Sequence, residues 1–109
     1  MESTAFQSPQ ARMLDGYEAV ATATRRMLDA ARAADWSALD EGARDCETWM
    51  QRIQRLGDPD VVLDAQGRRR RIAILCRVLR DDAQIRDLLH PSVGQVNRWF
   101  RHSGMAALR

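Results

Sequence analysis

Residues 37–56 read SALDEGARDCETWMQRIQRL. Leu39, Cys46 and Ile53 recur every seven residues, and Gly42, Trp49 and Leu56 form a companion row at the same step. Two apolar rows at that spacing fall on one side of an α-helix, and a seven-residue repeat is the period of helices that pack at a shallow angle. The row stops at Gly57-Asp58-Pro59, a cap glycine followed by a helix breaker. Upstream, Asp35 and Ser37 are both able to cap this helix, and the acidic pair Asp40-Glu41 sits where the helix dipole favours anions. The stretch is one rod of a helical bundle, starting at Trp36 or Ser37.

Working outward, a second periodic segment precedes it. Tyr17, Val20, Thr24, Met27, Leu28 and Ala31 recur at steps of three and four, predicting a helix over about 11–34. The corner Ala34-Asp35-Trp36-Ser37 is tight, so these two helices run antiparallel, and Trp36 is expected to cover that end of the bundle. Residues 1–10, with Pro9 and no period, read as a flexible lead-in. Downstream, GDPDVVLDAQG (57–67) is the longest irregular connection, and its Val61-Val62-Leu63 predicts a turn tucked against the bundle end. A third long helix starts near Asp64 or Gly67 and reaches Leu89. His90-Pro91 interrupts it, and Ser92 with Gln95 matches a capping box for a further short segment carrying Val93, Val96, Trp99 and Phe100. The expected architecture is all-α: an antiparallel bundle of three main helices plus a short C-terminal helical segment over 11–100, with a tail at 101–109.

Composition agrees. Of 109 residues, 45% are apolar but only 6% aromatic, with 6 Gly and 3 Pro, which disfavours a β-sandwich or barrel. No apolar run approaches the ~20 residues that span a bilayer, and Met1-Glu2-Ser3-Thr4 does not open a secretory signal. The expected location is the cytosol, with no membrane insertion. All 17 basic residues are arginine, and the charge is segregated. Residues 1–64 carry 7 Arg against 12 acids, and residues 65–109 carry 10 Arg against 3 acids. Opposite halves of this kind predict helices that pair within or between chains.

Catalytic chemistry is not visible. The glycines stand singly, so there is no phosphate loop. His90 and His102 fit no metal-ligand spacing, and Asp40-Glu41 and Asp81-Asp82 are helix neighbours that point apart. The expectation is a protein that is not an enzyme and uses no cofactor or metal. Cys46 and Cys76 both lie on apolar stripes and read as buried free thiols. The run Arg68-Arg69-Arg70-Arg71 opens the third long helix, where it opposes the helix dipole. It is a contact for an acidic partner or for phosphate, though a net charge of +2 and the scarcity of interleaved aromatics argue against direct nucleic-acid binding.

The order of features resembles a known family. YEAVATATRRMLDAARAADW, then SALDEGARDCETWMQRI, then RIAILCRVLRDDAQIRDLL is similar to the FliT family of flagellar export chaperones, most closely at LDAARAADWSALDE, over about residues 15–100. The resemblance implies a cytosolic helical bundle. It implies a chaperone that binds the C-terminal region of the filament-cap protein, keeps it from assembling early and brings it to the export gate and its ATPase complex. In some bacteria such proteins also block the flagellar master transcriptional regulator. Pro91 and the short chain after residue 100 depart from longer members, which bears on that regulatory role and on autoinhibition by a C-terminal helix.

The third long helix carries two apolar stripes. One is Ile72, Leu75, Leu79 and Ala83, with Cys76 beside it; the other is Ile74, Val78, Ile85 and Leu89, edged by Leu88. A bundle helix needs one. The second stripe therefore reads as the wall of a groove for an amphipathic client helix, with Trp99 and Phe100 closing one end. The competing reading buries that stripe inside the chain. Two rival functions are a homodimeric assembly or adaptor element with no export client, and an arginine-rich nucleic-acid or transcription-complex binder using Arg68 to Arg71.

Overall fold

The computed structural model describes residues 7–89. They form α1 (Pro9–Arg32), α2 (Trp36–Leu56), the single turn α3 (Pro59–Val62) and α4 (Ala65–Leu89). Helix α1 begins two residues earlier than its periodicity suggests, inside the expected lead-in. The Ser8 hydroxyl accepts from the Ala11 amide at 3.0 Å, and Pro9 takes the first position, where its missing N–H is no loss. Its far end closes with Ala34 at φ 55°, the Asp35 amide donating to the Ala30 carbonyl at 2.8 Å and the Ala34 amide to Ala31 at 3.2 Å. This is a Schellman closure with alanine at the position that favours glycine. Asp35 then caps α2 through the Ala38 amide at 3.1 Å, and Gly57 at φ 115° ends it.

The three long rods run up, down and up. Across the α1–α2 seam, Gly16 meets Ile53 and Gly42 meets Met27, so the two helices are antiparallel. Across the α1–α4 seam the polar partners keep a nearly constant separation in sequence: Tyr17 with Arg71, Glu18 with Arg70, Arg25 with Asp81, Arg32 with Gln84. A constant separation means parallel rods. Helix α1 is the shared element, and α2 and α4 scarcely touch each other. The molecule is accordingly flattened, 49 × 36 × 18 Å, where one helix is about 10–12 Å across. The core is Met13, Tyr17, Val20, Ile53, Leu63 and Ile74. Leu63, 2% exposed, plugs it from the turn after α3, as the tucked-turn reading anticipated.

The seven-residue rows of α2 face α1: Gly42 and Ile53 are buried, and Leu39, Cys46, Trp49 and Leu56 half-buried. Trp36, expected to cover the bundle end, stands 55% exposed instead. It is the first residue of α2, and Asp35 caps the helix without turning the ring inward. Cys76 also departs from expectation and is exposed, while Cys46 is half-buried beside the Thr24 hydroxyl and the Met27 sulfur.

Gly16 is required by contact, since a Cβ there would sit 2.7 Å from Ile53 Cγ1. Ile53 is β-branched and buried, so it has little freedom to move aside. Gly16→Leu is expected to cost ~1–3 kcal/mol by overpacking, read as a lower urea midpoint. Ala34→Gly relieves the left-handed strain and is expected to stabilise the chain by about 1 kcal/mol in the same measurement.

Candidate functional site

The start of α4 decides what the arginine run does. The Asp64 carboxylate accepts from the Gly67 amide at 2.8 Å, capping the helix. Gln10 of α1 reaches the same place: its Oε1 accepts from the Asp64 amide at 2.7 Å, and its Nε2 donates to Asp64 Oδ2 at 3.2 Å. These bonds hold the carboxyl of Asp64 below its ordinary pKa, the Gly67 amide first and Gln10 next. Arg68 donates to the Leu63 carbonyl at 2.7 Å, which ties the helix start to the turn before it. Arg71 donates to the Tyr17 hydroxyl at 2.9 Å and lies over its ring, 5.3 Å from the centroid. Arg70 pairs with Glu18 at 3.3 Å. Three of the four arginines thus bond within the chain, and Arg69 is exposed. The run is mostly a docking device between α4 and α1, because α4 lies parallel to α1 with Tyr17 and Glu18 opposite it.

The two stripes of α4 are placed the other way round from the groove reading. Ile74 and Ile85 are each 3% exposed, and Val78 and Leu89 are half-buried. Helix α1 lies along this stripe, so it is core and offers no open wall. The other stripe is the free one: Ile72 is 58% exposed and Leu79 62%, with Leu75 half-buried between them and Cys76 exposed alongside. Leu88, from the expected site, is exposed. Trp99 and Phe100 lie outside the described residues. A signal for this choice exists in the sequence. Gly67 stands seven residues before Ile74, whereas charged residues stand seven from members of both stripes. A small residue marks the side where another backbone comes close.

Helical rotation of 100° per residue fixes the faces of the slab. Round α4, the edge bonded to Glu18 and Arg25 (Arg70, Arg77, Asp81) gives way to the Ile74 face, then to Arg71, then to Leu75, Leu79 and Ile72. Tyr17, which Arg71 touches, is on the side of α1 nearer to α2. The exposed stripe therefore lies on the broad face opposite the ion pairs. Met50 of α2, 52% exposed, points to this same face, because Trp49, Arg52 and Leu56 turn toward the other. One broad face is thus rimmed by exposed apolar side chains on α2 and α4. The other carries two hollows, one of about 510 Å³ between α1 and α4 and one of about 430 Å³ between α1 and α2. Arg52 lies over the Trp49 ring at 4.7 Å beside the second.

Among the described residues no three His, Cys, Asp or Glu come together as a metal site, and no helix is long and apolar enough to cross a membrane. The fold is a small all-α bundle with exposed apolar side chains along one broad face. A family model described as flagellar protein FliT matches residues 14–105, and the chain belongs to that family of flagellar export chaperones. No curated protein and no solved structure gives a significant match.

The Asp64 cap carries a pH signature. Its lowered pKa stabilises the fold at pH above the unfolded-state value, and that contribution disappears as pH falls through the folded value. Asp64→Ala is expected to lower the melting temperature at neutral pH, and the gap from the parent chain to close in acid below the ordinary aspartate range. A gap that stays constant with pH would remove the carboxylate from this role.

Proposed function

We propose that this chain binds the C-terminal region of the filament-cap protein through its apolar face, keeps it from assembling early and carries it to the export gate and ATPase complex. The family supports the chaperone role, and the client and the delivery step are our reading. The observation that carries the surface is the exposure of Ile72 and Leu79 on one flank of α4, with Met50 across the same broad face. Residues 72, 75 and 79 step by three and four, so they form one apolar row along α4 against which an amphipathic client helix can lie. Large contiguous apolar patches left in water mark protein interaction sites.

Nucleic-acid binding through Arg68 to Arg71 loses most of its support, since Arg68, Arg70 and Arg71 are engaged within the chain. A homodimer on the apolar face competes directly with a client.

The double substitution Ile72→Asp with Leu79→Asp tests the surface. Both side chains are more than half exposed, so the helical circular dichroism and the melting temperature are expected to stay close to the parent. Capture of the filament-cap C-terminal region is expected to fall at least about tenfold, which is about 1.4 kcal/mol. Unchanged capture would place the client elsewhere. Parent chain that sediments as a tight dimer, and only the variant as a monomer, would assign the face to a second copy.

A further inference from the structure

We propose that the hollow between α1 and α4 is a docking site for a short acidic segment of a partner protein, separate from the apolar face. Its wall holds Arg25 and Arg26 from α1 and Arg77 and Arg80 from α4, with Ala21 and Thr22 between them. Two carboxylates stand among these guanidiniums. Glu18 takes Arg77 at 2.6 Å and Arg70 at 3.3 Å, and Asp81 takes Arg25 at 3.3 Å. Arg26 and Arg80 are exposed and have no such partner among the described residues. Four cations facing two anions leave the trough positive. Arg77 and Arg80 are three apart on one helix face and repel. An incoming carboxylate relieves that repulsion.

The geometry selects the occupant. Guanidinium is planar and pairs with a carboxylate through two parallel N–H donors. From Glu18 to Arg26 the trough follows α1 for about 12 Å, the length of roughly three or four extended residues. A nucleic-acid strand fits less well. No aromatic lines the trough to stack a base, and Glu18 and Asp81 would repel a continuous phosphate backbone. This site does not rest on the client reading, because it lies on the opposite broad face from Ile72 and Leu79.

The test uses the full chain and a fluorescent hexaglutamate peptide, read by anisotropy. At about 50 mM salt the peptide is expected to bind, and at about 500 mM binding is expected to collapse through screening. Arg26→Glu with Arg80→Glu is expected to weaken it about tenfold while leaving the melting temperature and filament-cap capture unchanged. Arg44→Glu with Arg55→Glu, the same change of net charge on exposed positions of α2, is expected to have a much smaller effect. Equal loss in both variants, or no binding at low salt, overturns the site. Tighter binding of a single-stranded oligonucleotide of equal charge overturns the peptide as occupant. So does self-association of the parent chain that the Arg26/Arg80 variant abolishes, which would give the trough to a second copy.

Discussion

The whole arrangement depends on how closely α1 and α2 approach. Gly16 receives Ile53 and, eleven residues on, Gly42 of the other helix receives Met27. The seats are reciprocal: each helix gives up a side chain at one level and inserts one at the other. Between them the Thr24 hydroxyl donates to the Val20 carbonyl at 2.8 Å, so the one buried polar group on the seam brings its own acceptor. Seating α2 this deeply uses one side of α1. The side that remains, with Tyr17, Glu18, Arg25 and Arg32, is where α4 lands, and its ion pairs set the register.

Much of this was legible in the residues. The α2 rows, the Asp35 cap, the Gly57 stop and the tucked Leu63 follow from spacing and local chemistry, both of which act over a few residues. What failed was the choice between the two stripes of α4. Both have adequate apolar character, and propensity is blind to which one a distant helix will cover. The deciding facts are long-range: Glu18 sits opposite Arg70 and Arg77, and Arg25 opposite Asp81, only if α4 runs parallel to α1. Gly67, seven residues before Ile74, held a usable hint. The arginine run was misleading for a related reason. Four like charges in sequence suggest a solvated patch, yet rotation by 100° per residue sends Arg68, Arg70 and Arg71 to three different acceptors.

Arginine rather than lysine matters at these contacts. Arg71 both donates to the Tyr17 hydroxyl and covers the ring, which a point-like ammonium does less well. Arg68 reaches the Leu63 carbonyl just after α3, so one of the four charges that the helix dipole disfavours has an acceptor at close range. The surface ion pairs themselves contribute little stability each, since their arginines are about half exposed and screened. Their larger effect is on specificity. A slip of α4 by one turn would put Arg77 opposite another part of α1 and leave Glu18 without its closer partner.

A slab with one shared central rod has a functional consequence that a triangular bundle lacks. In a triangle, each helix hides two flanks and exposes one. Here α2 and α4 each pack on one neighbour, so the slab has two broad faces that side chains of more than one rod can line. The sequence populates them differently: Ile72, Leu79 and Met50 on one side, Arg26, Arg77 and Arg80 on the other. Apolar burial is strong and insensitive to salt, whereas guanidinium–carboxylate contact is weaker, directional and screened. A protein that must hold one partner while exchanging another gains from keeping these two kinds of contact on separate faces, because occupation of the greasy side then leaves the charged side free.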